Sequence, residues 1–268
     1  SFFDPKNKAG FLRSLMIRTT STEEVMIVFQ VFHKEDTILF PLLDALAQEF
    51  PDITSLQYVI NGKANDTLYD QEIVCYKGQD YITEVMEALQ FRITAKSFYQ
   101  TNSLQAFELY KVVRELADLQ GDELVYDLYT GTGTIAQFVA QKAQKVVGVD
   151  VVPDSINAAK SNAVHNKIDN VFFETGDMKA IFNEEFINRH GKASVVITDP
   201  PRDGMHKDVV QQLLDLSPDR IVYVSCNSAT QARDLSLMKE QYRLVASQAV
   251  DMFPQTHHVE NVVLLEKI

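Results

Sequence analysis

The amino-acid sequence predicts an α/β protein in which a seven-stranded mixed sheet follows a smaller, β-rich α+β domain. Two observations predict the larger domain, over residues 91–268. Short apolar runs alternate there with amphipathic helical segments, and the last two runs follow each other without a helix. Alternating strands and helices are typical of a mostly parallel sheet covered on both faces. A third observation, a set of strands with one helix among them over residues 1–90, predicts the smaller domain.

In the smaller domain, alternating apolar and polar residues predict strands, and apolar residues at helical spacing before Pro51 predict one helix. A hairpin is expected where two strand-like runs flank the turn Lys77–Asp80. The predicted strands are Ser14–Thr19, Glu24–Phe32 and Leu56–Ile60, the predicted helix is Asp36–Phe50, and the predicted hairpin joins Glu72–Tyr76 to Tyr81–Val85.

The larger domain is predicted to begin with an amphipathic helix over Ser103–Leu119. Seven apolar runs then predict the strands, with helices in the gaps up to the fifth strand and once after it. These strands are Leu124–Leu128, Lys145–Val149, Asn170–Glu174, Ala193–Thr198, Arg220–Ser225, Tyr242–Phe253 and Asn261–Glu266. The last two strands have no helix between them, so we expect them to form a hairpin at the edge of the sheet.

The composition is that of an ordinary globular protein, with 46% hydrophobic and 23% charged residues. The net charge of -12 argues against a general nucleic-acid binder. Two cysteines, Cys75 and Cys226, make neither a disulfide framework nor a metal cluster, and no signal peptide or apolar run of membrane-spanning length is visible in this sequence. We expect a cytoplasmic monomer with no membrane partner. Because the chain begins at Ser1 and not at Met, we expect it to be part of a longer protein.

A glycine-rich loop follows the first strand of the larger domain. Gly131 and Gly133 allow a tight turn and let a ligand approach the backbone. Asp150 ends the second strand, where a carboxylate can accept hydrogen bonds from both hydroxyls of a ribose. This spacing fits the dinucleotide fingerprint, and it predicts a nucleotide-type cofactor.

Two further acids favour S-adenosylmethionine over a dinucleotide. Asp127 precedes the glycines, where it suits the cationic amino-acid group of that cofactor and would repel a pyrophosphate. Asp177 follows the third strand, where it can accept from an adenine amino group. Each acid alone fits equally well as a helix cap or a solvated loop residue. Acids at successive strand ends favour the cofactor site.

The fourth and fifth strands also end in chemically active residues. Asp199 and Arg202 flank two prolines that hold the backbone rigid and present both side chains to the crevice. Cys226 ends the fifth strand, at the edge where open α/β sheets carry their ligands. A thiol there is either a small buried hydrophobe or a nucleophile.

Five segments of the chain, in this order, resemble the RNA uracil-5-methyltransferase family, whose members make 5-methyluridine in tRNA and rRNA. The segments are Phe98–Asn102, Asp127–Thr134, Asp199–Gly204, Ser225–Asn227 and Gln255–Glu260. The resemblance covers Phe91–Ile268 and extends more weakly to the β-rich part, which is similar to the family's central, RNA-contacting domain. It implies a Rossmann-like class I methyltransferase fold for the larger domain.

The resemblance assigns a role to each matching residue. It implies that Cys226 is the nucleophile that adds to carbon 6 of uracil, that Glu260 is the general base and that Asp199 hydrogen-bonds the base. The residues implied to bind S-adenosylmethionine are Gln100, Asp127, Tyr129, Gly131, Gly133, Thr134, Asp150, Asp177 and Asp199. The expected substrate is RNA, with rRNA favoured over tRNA. The family often has Asn at the position of Thr134 and Glu at that of Asp150, and some members carry a barrel and an iron–sulfur cluster that two cysteines cannot hold.

Two other functions are compatible with part of the pattern. Methyltransferases for amino groups of bases also use an Asp-Pro-Pro signature, but an aromatic residue usually follows the prolines, whereas Arg202 does here. A catalytically silent module that binds RNA and S-adenosylmethionine is the third possibility. The thiol at Cys226 discriminates among these, because only the uracil-5 chemistry requires it.

Overall fold

A computed structural model describes the whole chain, Ser1–Ile268, and divides it into two compact units, Ser1–Ser97 and Phe98–Ile268. The division falls after Ser97 and not after Gln90, because a strand over Leu89–Thr94 pairs with the strand before it and so keeps this stretch in the first unit.

The first unit contains six strands and one helix. The strands are β1 (Leu12–Thr19), β2 (Val25–Val31), β3 (Ser55–Ile60), β4 (Ile73–Gly78), β5 (Tyr81–Met86) and β6 (Leu89–Thr94), and the helix is α1 (Asp36–Glu49). Strands β1 to β4 form one sheet in chain order, in which β2 and β3 are parallel and the other pairs are antiparallel. Leu39 and Leu43 of α1 are fully buried in one core cluster with Val31 and Leu56 of this sheet.

The predicted hairpin between Glu72–Tyr76 and Tyr81–Val85 is wrong. Strand β4 pairs antiparallel with β3, and β5 pairs with β6, which the sequence analysis missed. Gly78 explains the change of partner: it has a φ of +82°, and an added Cβ would lie 2.1 Å from the carbonyl oxygen of Thr54, so the end of β4 is packed directly on the start of β3. The partner of a strand is decided by such non-local packing.

The second unit is an α/β layer structure with the predicted seven-stranded mixed sheet. Its strands are β7 (Leu124–Leu128), β8 (Lys145–Asp150), β9 (Val171–Thr175), β10 (Val195–Thr198), β11 (Arg220–Ser225), β12 (Tyr242–Val250) and β13 (Glu260–Lys267). Its helices are α2 (Ser103–Ala117), α3 (Thr134–Ala140), α4 (Pro153–His165), α5 (Glu184–His190), α6 (Lys207–Leu216) and α7 (Ser228–Met238). No helix in the protein has both the length and the apolar character needed to cross a membrane.

The order of the large sheet is β12-β13-β11-β10-β7-β8-β9. Strands β7 to β11 are parallel, and the final hairpin adds β13 antiparallel to β11 with β12 at the edge, as predicted. Strands β10 and β11 are buried on both faces because helices cover them. The carboxyl ends of five strands therefore meet at one edge, together with the beginning of β13.

Candidate active site

Asp127 anchors the loop between β7 and α3. Its side chain is buried, and its Oδ2 accepts hydrogen bonds from Thr130 Oγ1 (2.5 Å) and from the backbone N–H of Ala136 (3.1 Å). The other carboxylate oxygen, Oδ1, has no hydrogen-bond partner. Burial raises the pKa of Asp127 to about 7, with a smaller contribution from the charge of Asp150. A buried acceptor without a partner is costly, so this oxygen is suited to a cationic or donor group of a ligand.

The glycine-rich loop is held by the acid at the end of β8. The backbone N–H of Gly131 donates to Asp150 Oδ2 over 2.9 Å, and the N–H of Val152 donates to Oδ1 over 2.9 Å. Gly133 begins α3 with a φ of +75°, and a Cβ there would lie 2.6 Å from the ring of Phe173. Position 133 therefore requires glycine, both because a larger side chain would collide with Phe173 and because φ is positive there.

Tyr129 adopts a conformation that the sequence does not reveal. It has a φ of +60°, in the left-handed region that non-glycine residues seldom occupy. Burial and the nearby acids raise its pKa to about 12. The acids that raise this pKa are Asp234, Asp177 and Asp150. Non-glycine residues held in the left-handed region are often found at ligand sites.

A pocket at this edge joins the Phe98–Asn102 segment to the glycine-rich loop. Its lining contains Gln100, Asp127, Tyr129, Gly131, Thr134 and Asp199 from the predicted site. Asp177 is not in this lining: its side chain is exposed and its Oδ1 accepts from the backbone N–H of Lys179 over 2.9 Å.

Cys226 and Glu260 are brought together by the pairing of β11 with β13. The last pair of that antiparallel ladder is Ser225 with Asn261, so Cys226 and Glu260 occupy the next opposed positions. Both side chains are partly buried. Opposed residues of neighbouring antiparallel strands lie about 5 Å apart, which places a carboxylate beside the thiol.

The electrostatics of this cluster are dominated by burial and like charges. Partial burial raises the pKa of the Cys226 thiol, and the charges of Glu260 and Asp199 raise it further. Arg202 lowers the pKa of Cys226, but this effect is smaller, and the pKa of the thiol remains above its ordinary value. Asp199 is partly accessible to solvent, but desolvation of its carboxyl group raises its pKa to about 8, and the charges of Glu260 and Asp127 contribute to this rise. Burial also raises the pKa of Glu260.

One residue that positions this cluster, Asn102, was not among the predicted site residues. Asn102 caps α2 by accepting from the N–H of Gln105, and its Nδ2 donates to the carbonyl of Met252 (2.8 Å) in the loop before Glu260. Asn102 therefore ties one wall of the pocket to the strand that carries Glu260. An Asn before an amphipathic helix is a recognisable cap signal, but its second bond depends on the fold.

A larger groove, of about 480 Å³, lies away from these residues at the other edge of the sheet. It is lined mainly by apolar side chains of α4 and β9, including Val164 and Phe172, and contains none of the predicted site residues. The acids and the thiol form the candidate functional site, and none of them lines this groove.

The family model described as tRNA (Uracil-5-)-methyltransferase matches residues 19–268 of the chain. A protein of Porphyromonas gingivalis described as an uncharacterized RNA methyltransferase is 58% identical over 266 residues, which cover 98% of this chain and 57% of that protein. One of Bacteroides thetaiotaomicron with the same description is 55% identical, over 99% of this chain and 59% of its own length. The chain thus spans less than two thirds of the length of these curated relatives.

A crystal structure of Pyrococcus abyssi tRNA (uracil-54, C5)-methyltransferase in complex with S-adenosyl-L-homocysteine is similar to this chain with a TM-score of 0.82 and 33% identity. The similarity covers 97% of this chain and 61% of that one. An M. jannaschii tRNA m1G37 methyltransferase, with 12% identity and a TM-score of 0.59, shares the fold. The predicted class I methyltransferase fold and the predicted family are confirmed.

We predict that the Asp127→Asn variant loses less stability than wild type when the pH is raised from about 4 to about 8. The pKa of this carboxyl is raised in the folded protein, so its contribution to stability is complete below the unfolded value of 3.8 and is lost as the pH rises to about 7. The free energy of unfolding of the variant relative to wild type should increase by about 4 kcal/mol over that range. Urea denaturation at both pH values measures this difference.

Glu123→Gln is the matched control, because Glu123 is also a buried carboxyl but hydrogen bonds from the backbone N–H groups of Gln120 and Gly121 help to lower its pKa. The free energy of unfolding of Glu123→Gln relative to wild type should therefore decrease over the same pH range. A pH-independent difference for Asp127→Asn would contradict the raised pKa.

Proposed function

Because the chain belongs to the tRNA (uracil-5-)-methyltransferase family, we propose that it transfers a methyl group from S-adenosylmethionine to carbon 5 of a uridine in RNA. The observation that carries the proposal is the opposition of Cys226 and Glu260 across the β11–β13 ladder, beside the pocket that Asp127 and Asp199 line. A nucleophile and a base at one place are what methylation of an unactivated pyrimidine carbon requires.

The pocket fits S-adenosylmethionine on the chemistry of its donors and acceptors. The unpartnered Oδ1 of Asp127 suits the cationic amino group, and the partly buried Asp150 retains acceptor capacity for the ribose hydroxyls. Gln100, Tyr129 and Thr134 complete the lining, and Asp177 is kept as the predicted partner of the adenine amino group. When bound, this cofactor supplies an electrophilic methyl group.

Cys226 has the task of making carbon 5 nucleophilic. The thiol releases its proton to water as the sulfur bonds to carbon 6 of uracil, and the electron pair of the carbon 5–carbon 6 double bond moves into the ring as an enolate. Carbon 5 of that enolate can then accept a methyl group. Asp199 is protonated near neutral pH because its pKa is about 8, so its carboxyl group can donate a hydrogen bond to the enolate oxygen.

Glu260 completes the reaction by removing the proton from carbon 5. The electron pair of the broken C–H bond restores the double bond between carbons 5 and 6, and the bond from carbon 6 to sulfur breaks. Cys226 leaves as a thiolate. The raised pKa of Glu260 makes its carboxylate a stronger proton acceptor than an exposed glutamate.

A Cys226→Ala variant should bind S-adenosylmethionine with unchanged affinity and lose methyl transfer to RNA by at least about 10³-fold, because carbon 5 is then never activated. Transfer of a labelled methyl group to RNA and calorimetric binding of the cofactor measure the two properties. Cys75→Ser is the matched control, since Cys75 is exposed on the first unit. This variant should have full activity. Activity retained in Cys226→Ala would contradict covalent catalysis.

A Glu260→Gln variant should form the methylated adduct and fail to release it, because an amide cannot accept the proton from carbon 5. RNA should then migrate with the protein on a denaturing gel, and the adduct should be absent when Cys226 is also replaced by Ala. Failure to detect any adduct, with methyl transfer still rapid, would remove Glu260 from the role of base.

The RNA substrate is predicted to be rRNA, with tRNA as the alternative, and the first unit is proposed as the part that contacts it. The similar P. abyssi protein is described as acting on uracil 54 of tRNA. Mapping 5-methyluridine in total RNA from cells that lack the gene should reveal one missing site in rRNA. A missing site in tRNA alone would reverse the choice of RNA, and no missing site would reject uracil methylation.

A further inference from the structure

Helix α7, which follows Cys226, contains a carboxylate that the proposed chemistry does not use. Asp234 is fully buried, and its Oδ2 accepts from Tyr223 Oη (2.7 Å) and from the backbone N–H of Met205 (2.8 Å). Its Oδ1 accepts from Arg233 Nε (2.9 Å) and Nη2 (2.7 Å). A buried carboxylate with this many donors is held rigidly, and each donor comes from a part of the chain near the active site.

Arg233 extends these bonds to the loop after β10, residues 199–206. Its Nη2 donates to the carbonyls of Asp203 (2.9 Å) and Met205 (3.2 Å). Gly204 lies between them with a φ of +75°, and an added Cβ would lie 2.7 Å from Asp234 Oδ2 and 2.7 Å from Arg233 Nη2. The glycine of the Asp199–Gly204 motif is therefore required because the loop packs directly on this carboxylate.

The beginning of α7 is tied to the same loop. Asn227 caps the helix by accepting from the N–H of Ala229, and its Nδ2 donates to the carbonyl of Arg202 (3.2 Å). Thr230 Oγ1 lies 3.2 Å from the same carbonyl and can donate to it. Two successive turns of α7 thus hold the loop that starts at Asp199, while the residue before the helix cap is Cys226.

We propose that Asp234, with Arg233, is a positioning group that fixes the Asp199–Gly204 loop relative to Cys226. The inference rests on the proposed function, in which Cys226 attacks the base that Asp199 orients. We call Asp234 and Arg233 the clamp. Tyr223 joins the clamp to β11, which ends immediately before Cys226, so the same carboxylate contacts both the β10 loop and β11. Displacement of the β10 loop or of the end of β11 by about 1 Å is enough to lower the rate of the chemical step by about 100-fold.

Asp234→Asn tests the proposal because it keeps the shape of the side chain and removes the charge that holds Arg233. It should lower kcat for RNA methylation about 10- to 100-fold and change KM for RNA and for S-adenosylmethionine by less than about threefold. In the Glu260→Gln background, formation of the RNA adduct should slow by the same factor, because adduct formation reports the attack of Cys226.

Glu123→Gln controls for a merely structural effect. Glu123 is likewise a buried carboxylate that accepts from backbone N–H groups and pairs with Arg220, but it precedes β7 at the opposite end of the strand. Its replacement should lower the melting temperature and leave kcat unchanged. If the two variants have equal kcat, Asp234 has no positioning role and the proposal is rejected.

Gly204→Ala disturbs the clamp from the side of the loop and leaves Asp234 intact. It should reproduce the loss in kcat, and the double variant with Asp234→Asn should be no slower than the slower single variant, because both act on one contact. Additive losses in the double variant would show that the two residues act separately and would overturn the proposal.

Alkylation of Cys226 tests the clamp without relying on methyl transfer. In a Cys75→Ser background, Cys226 is the remaining cysteine, and its rate of reaction with iodoacetamide reports its surroundings. Asp234→Asn should change this rate at least about threefold and Glu123→Gln should not. If wild type methylates no RNA, the proposed function fails, and an unchanged alkylation rate then decides separately against the clamp.

Discussion

The antiparallel insertion of β13 beside β11 is the constraint on which the arrangement of the active site depends. In a wholly parallel sheet, a residue at the beginning of a strand lies at the edge opposite to one at the end of its neighbour. Because β13 runs against β11, the beginning of one strand meets the end of the other, and Glu260 lies opposite Cys226. The final hairpin therefore places a carboxylate at the edge where the parallel strands end.

This arrangement brings several carboxyl groups together in a partly buried site. Asp127, Asp199 and Glu260 all have raised pKa values because of burial, and the pKa of Asp199 also responds to the charges of the other two. Such a cluster is unfavourable in the free protein and becomes favourable when a cation enters it. In the proposed function the methyl donor is that cation. The affinity for this cofactor and the ionisation of the Cys226 thiol then depend on the same carboxyl groups.

The sequence predicted the second unit well because its strands are continuous apolar runs and its acids stand at the ends of those runs. It failed for β4, whose partner depends on contact between Gly78 and Thr54. It also could not predict the left-handed conformation of Tyr129 or the burial of Asp234, which receives hydrogen bonds from separate segments. An acid within an amphipathic helix is usually solvated, and nothing local to Asp234 indicates otherwise.

The site consists of two parts with different supports. The part proposed to bind the cofactor is held by the backbone, since Asp127 accepts a hydrogen bond from the N–H of Ala136 in α3 and Asp150 accepts one from the N–H of Gly131 in the glycine-rich loop. The part proposed to perform the chemistry is held by side chains of α7 and of its N-cap, which donate hydrogen bonds to the loop after β10. A loop held by its own backbone can be identified from a local motif, whereas a loop held by another helix requires the fold. Conservative changes in α7 are therefore expected to affect the chemical step before they affect cofactor binding.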